Sequence, residues 1–153
     1  MPSGIVHARA TIVLSALVLA LYRPFQDALL MALGCLIGTV LTPDLDVDTG
    51  HYGFYIIRKR FGRTAATLWK WYWWQYARLT VHRGWLSHFP VISTIIRFSY
   101  LFLPFLLVFQ QFIPDKSMNS TILVIITGTI LADTLHFLMD HLTSSFKRFL
   151  RKF

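Results

Sequence analysis

From Ser120 to about Leu142 the chain carries an apolar run long enough to cross a bilayer, and its last eleven residues, Ala132 to Leu142, include four ionisable side chains: Asp133, His136, Asp140 and His141. Read as a helix, this run places Asp133, His136 and Asp140 at i, i+3 and i+7, stacked along one face, with His141 about 80° round from that row. Carboxylates and an imidazole spaced this way are what a helix offers to a divalent metal. Ionisable groups in a membrane segment are also costly enough to mark a functional site. The competing reading is a helix that emerges into water with its polar residues merely solvated.

The remaining composition belongs to the membrane class. Hydrophobic residues make up 55% of the 153 positions and aromatics 16%, and mean hydropathy is +0.53, outside the range of a soluble enzyme. The length fits one domain spanning 1–153. All seven acids are Asp, and five of them fall in two clusters, 44/46/48 and 133/140. Acids here are placed rather than scattered for solubility. The single Cys35 excludes an intrachain disulfide and a cysteine zinc site, so any metal must be held by His and Asp. The first 22 residues read as a retained helix, because the apolar run ends in Tyr22-Arg23-Pro24 without a small-residue cleavage site.

Along the chain, a first apolar run carries His7 and Arg9 in its opening turns. A second, Ala28 to Thr42, has Gly34 and Gly38 at i, i+4, a small-residue face that lets another helix approach closely. Pro43 ends it, and Asp44, Asp46 and Asp48 alternate so that an extended strand or a turn would put three carboxylates on one side. Such crowding is unfavourable unless a cation sits between them; the alternative is a solvated acidic turn. From Phe54 to Arg83 there are seven cations and no acid, and all five tryptophans (69, 71, 73, 74 and 85) fall at or just beyond this stretch. Rings alternating with Lys and Arg are expected to lie along the lipid headgroup region, with membrane lipids favoured over nucleic acid as the partner. Val91 to Ile113 is the clearest span by sequence, and it carries Arg97 and Pro104.

Positive charge favours the cytoplasmic side, so the basic 58–83 stretch and the basic C-terminus predict an N-in, C-in integral membrane protein. The expected fold is an all-α helical bundle of about four spans with an interfacial aromatic and basic segment. Under that topology His7, Asp44/Asp46/Asp48, His82/His88 and Asp133/His136/Asp140 all arrive at the cytoplasmic membrane face. The expected metal ligands are therefore His7, Asp44, Asp46, His82, His88, Asp133, His136 and Asp140.

The pattern of His7, Pro43-Asp44-Leu45-Asp46, His82-Arg83-Gly84-Trp85-Leu86-Ser87-His88 and the Asp133, His136, Asp140 helix resembles metal-binding membrane proteins related to the YdjM-like membrane-bound metal-dependent hydrolases. The resemblance covers nearly the whole chain and implies a helical bundle with a polynuclear site. Mixed imidazole and carboxylate ligation suits zinc, with manganese or iron as alternatives, and the surplus of carboxylates suggests two ions. Two such ions suit phosphoester hydrolysis, with lipid headgroups the substrate by location. Arg83 would hold substrate oxygens, and Asp48 or His51 would move the proton. The alternative is a non-catalytic membrane protein, stapled by its metal, acting as a small subunit of a membrane complex or as a homo-oligomer.

Overall fold

The computed structural model of the chain describes residues 4–46, 52–80, 89–108 and 116–150, with the side chains at 46, 103, 105–108, 116–119, 147, 148 and 150 outside the described set. Five α-helices account for nearly all of them: α1 (Gly4–Leu21), α2 (Phe25–Val40), α3 (Tyr52–Leu79), α4 (Pro90–Val108) and α5 (Lys116–Leu150), with one 3-10 turn at Pro43–Asp46. No strand occurs among the described residues, so the all-α expectation holds. Among the described residues, three stretches are long and apolar enough to cross a membrane, Gly4–Leu21, Phe25–Leu45 and Ser120–Phe146. Helix α4 carries an apolar stretch over Pro90–Phe102, and residues 109–113 of the span expected from the sequence lie outside the described residues. The inner face of α4 is taken up by buried Ser93, Thr94 and Arg97.

The most extensive helix pairing joins α2 to α5, and small residues on both sides set its closeness. A methyl group placed on Gly34 would lie 2.0 Å from the Ile125 carbonyl oxygen, and one on Gly128 would lie 2.0 Å from the Met31 carbonyl oxygen. Gly38 abuts the Ala132 methyl group. With the backbones this close, Thr129 Oγ1 donates to the Gly34 carbonyl at 3.0 Å and Cys35 Sγ donates to the Gly128 carbonyl at 3.2 Å. The Gly34/Gly38 face legible in the sequence therefore meets a matching Gly128/Ala132 face. Between helices that lipid does not drive together, close packing and interhelical hydrogen bonds are the main attractions.

Beside its apolar core residues the bundle buries polar side chains and turns large apolar ones outward. Thr11, Ser15, Ser93, Thr94, Arg97, Thr129, Asp133 and His136 are buried, while Ile12, Val13, Leu17, Leu29, Leu33, Ile95, Leu123 and Leu138 are exposed. Such an inversion suits a hydrocarbon surround rather than water. Its costliest member is charged: Arg97 of α4 donates through Nη2 to Asp133 Oδ2 of α5, against which Thr94 Oγ1 also lies. A guanidinium in a span needs a buried counter-charge, and this pair supplies it.

Helix α3 is bent at Gly62, whose φ of 84° and ψ of −177° interrupt the helical run. The arm after the bend packs Trp73 and Tyr76 into a core with Leu41 and Leu45, and Ile37, Ile96, Tyr100 and Leu101 close around them. Tyr72 and Tyr100 exchange hydrogen bonds, each hydroxyl donating to the other's backbone carbonyl, at 3.0 and 2.7 Å. Burial and the neighbouring Tyr100 phenol hold the Tyr72 hydroxyl above its ordinary pKa, so it stays a neutral donor. The sequence expectation put all these rings at the headgroup boundary. In the structure the i, i+4, i+7 spacing of Trp69, Trp73 and Tyr76 turns one face inward onto α2 and α4, leaving Leu68, Trp71 and Trp74 on the exposed face.

Candidate metal centre

Helix α1 is buried along His7, Ala8, Thr11 and Ser15, one stripe at helical spacing, so His7 faces the bundle from its second turn. Helix α5 brings His136 and Asp140, one turn apart, to the same end. The third contribution comes from the chain after α2. Pro43–Asp46 forms a 3-10 turn rather than the extended strand considered from the alternation of Asp44, Asp46 and Asp48. The physical reason is Leu45, which is 1% exposed and folds back under the turn as its N–H donates to the Thr42 carbonyl at 3.2 Å. The turn then presents Asp44 toward His136.

The resulting distances are those of groups around a common point. His7 Nε2 lies 3.2 Å from Asp140 Oδ1, and His136 Nε2 lies 3.6 Å from both Asp140 Oδ2 and Asp44 Oδ1. One ligand atom from each of His7, His136 and Asp140 falls within 4.8 Å of the others. Two atoms each about 2.1 Å from a tetrahedral ion are about 3.4 Å apart, so these spacings are compatible with ligation of one ion. Asp140 Oδ1, although buried and beside His7, makes no directed hydrogen bond among the described residues, and neither does His7 Nδ1. The two imidazoles stack with ring centroids 3.9 Å apart and planes at 20°, which aligns their edges toward the carboxylates. Beside them is a cavity of about 20 Å³ lined by Thr11, Thr42, Asp44, Tyr52, Asp133 and His136 among others, enough for one water-sized occupant. Donor types, spacing and room all fit a divalent ion.

Of the expected ligands, the structure brings His7, Asp44, His136 and Asp140 together. Asp133 lines the same cavity one turn away, but its Oδ2 is engaged by Arg97 and Thr94, and its Oδ1 has no hydrogen-bond partner among the described residues. His141 is exposed and stacks on Phe137 at 6.1 Å, on another face of α5. Asp48, His51, His82, Arg83 and His88 lie outside the described residues, as does the Asp46 side chain. What sequence reasoning missed is the pairing of Arg97 with Asp133. The sequence shows only that an arginine and an aspartate in two apolar runs each need a counter-charge; which partner each takes depends on helix rotation, which the sequence does not encode.

Residues 2–150 match the model of a family described as "uncharacterized metal-binding protein (DUF2227)". The chain belongs to that family. Membership supports metal binding for a chain whose buried His and Asp side chains already converge, and it shows no link to the YdjM-like hydrolases. No curated protein and no solved structure matches the chain.

Proposed function

We propose that this member of the metal-binding family is a membrane-bound hydrolase of phosphoester bonds that works with zinc held by His7, His136 and Asp140. The observation that carries the reading is the donor set: two imidazoles and one carboxylate beside a cavity. Catalytic zinc sites keep three protein ligands and an open position, whereas structural sites are closed by four. Asp44 is the group that would decide between these, since it approaches His136 at the same 3.6 Å as Asp140 does. When bound, such an ion supplies Lewis acidity toward a phosphoryl oxygen and makes a nucleophile available at neutral pH. The likeness of His82-Arg83-Gly84-Trp85-Leu86-Ser87-His88 to the YdjM-like hydrolases supports the reaction type.

In this reading Arg83 binds substrate oxygens as a bidentate donor, and Asp48 or His51 moves the proton. His82, His88 and Asp46 complete a second ion's shell, and Asp133, whose Oδ2 is held by Arg97 and Thr94, supports the site from beside it. Lipid headgroups are the substrate class, since the centre sits at one end of apolar helices. The basic stretch before α4 and the basic C-terminus support an N-in, C-in orientation with the centre on the cytoplasmic side.

A second reading is favoured by one observation: the converging groups come from α1, from α5 and from the turn after α2, so an ion would tie three elements together. A purely structural metal would do the same without turnover. Zinc content and hydrolysis of a generic phosphodiester, measured on wild type, His136→Ala and Arg83→Ala, separate the two. The hydrolase reading expects His136→Ala to lose both metal and turnover, and Arg83→Ala to keep metal and lose turnover, because guanidinium has no lone pair to give. A structural metal expects Arg83→Ala to be silent and His136→Ala to fail to accumulate.

A further inference from the structure

The bend of α3 carries the densest charge in the described structure. Residues 58–64 are all exposed, and they include Arg58, Lys59, Arg60 and Arg63 together with Phe61, which is 70% exposed. None of these cations pairs with an acid among the described residues, and the sequence from Phe54 to Arg83 contains no acid to neutralise them. Lys59 instead lies over the Tyr55 ring at 5.9 Å. The bend brings Arg58 from one arm and Arg63 from the other to a single cleft, with Phe54, Ala66 and Thr67 as its other walls. Large apolar groups continue the surface along the second arm, among them Leu68 and Trp71, the latter 63% exposed. Trp73 and Tyr76 fix this arm to the bundle, so the cations and the exposed rings are held in one arrangement rather than on a free tail.

Four cations with no acidic partner among the described residues, beside exposed aromatic and aliphatic groups, suit a partner that is anionic at one level and apolar at the next. An anionic phospholipid has that layering; free phosphate and nucleic acid lack the apolar layer that Phe61, Leu68 and Trp71 would enter. We propose that the elbow of α3 is a docking surface for an anionic phospholipid, with Arg58 and Arg63 gripping the headgroup phosphate from the two sides of the cleft and Phe61 and Trp71 resting at the acyl boundary. Gly62 sets the grip. Its backbone lies in a region essentially reserved for glycine, so a side chain there forces the two arms, and with them the two guanidinium groups, into a different relation. The proposal concerns lipid retention and stands apart from any reaction at the metal centre.

The test uses the full chain in neutral-detergent micelles, with native mass spectrometry counting retained lipid at equal concentrations of dioleoyl phosphatidylglycerol and dioleoyl phosphatidylcholine. Wild type should retain the anionic lipid at least tenfold more strongly. Arg58→Gln/Arg63→Gln should lower that retention about thirtyfold, from about fivefold for each cation near an anionic surface, while bound metal stays at the wild-type level. Gly62→Ala should lower retention with all four cations still present, and Arg58→Lys/Arg63→Lys should fall between wild type and the double glutamine variant, because lysine keeps the charge but not the bidentate grip. Equal retention of the two lipids, or a double glutamine variant that keeps its preference, would overturn the proposal. Displacement of phosphatidylglycerol by millimolar inorganic phosphate would overturn it as well, by showing that the cleft takes the free anion.

Discussion

Gly128→Ala should loosen the α2–α5 crossing, and its cost can be worked from the geometry. The new methyl carbon would start 2.0 Å from the Met31 carbonyl oxygen and 3.1 Å from the Cys35 nitrogen, both backbone atoms of α2 that cannot rotate away. Restoring ordinary carbon–oxygen contact at about 3.5 Å requires the helices to separate by more than 1 Å, a shift in the range that overpacking charges at about 1–3 kcal/mol. The separation also stretches two interhelical hydrogen bonds, Thr129 to Gly34 and Cys35 to Gly128, each of which contributes about 0.6 kcal/mol in a membrane. The sum is about 2–4 kcal/mol, or about 5–15 °C in the unfolding midpoint of a chain this size. Thermal unfolding in detergent, followed by size-exclusion recovery after heating, reads that shift. Because α5 carries His136 and Asp140 while the chain after α2 carries Asp44, metal content should fall along with stability. A Gly128→Ala protein that melts with wild type would refute the reasoning, and Gly34→Ala, which meets the Ile125 carbonyl oxygen at 2.0 Å, should behave alike.

Arg97→Leu leaves Asp133 buried without its counter-charge and should destabilise by about 3–5 kcal/mol; Arg97→Leu/Asp133→Leu should recover part of that loss, as read by the same unfolding assay. Asp133→Asn should weaken zinc binding by about 10- to 100-fold, the usual effect of a group supporting a ligand, whereas His136→Ala should weaken it further, both measured by competition with a chromophoric chelator. Gly62→Ala should cost about 1–3 kcal/mol from backbone strain, although nothing crowds the site. Metal affinity should fall as pH is lowered through the range where imidazole takes up protons, because His7 and His136 must offer lone pairs; zinc titration at several pH values checks the sign.

The parts of this molecule that sequence could show are those that depend on local spacing or on which membrane end a residue reaches. His136 and Asp140 share a face because they are four apart on one helix. His7 joins them because hydropathy places the start of α1 and the end of α5 at the same end of the bundle. The Gly34/Gly38 face was legible for the same reason, and its mate, Gly128/Ala132, has identical spacing. Which partner a side chain selects across helices was not legible. Asp133 sits on the ligand face by periodicity, yet its carboxylate is taken by Arg97 from a helix whose rotation the sequence does not encode. Composition similarly grouped the tryptophans as one surface belt, but burial splits them, Trp73 inside and Trp71 outside, because α3 shows one face to α2 and α4.

The central claim is that His7, His136 and Asp140 form one metal centre, and elemental analysis of the purified protein with its His136→Ala and Asp140→Ala variants tests it most directly. The account predicts stoichiometric divalent metal in the wild type and its loss in both variants, with a secondary structure content by circular dichroism that remains helical. Wild-type metal content in the two variants, or a wild-type protein that takes up no divalent ion when supplied with one, would contradict it.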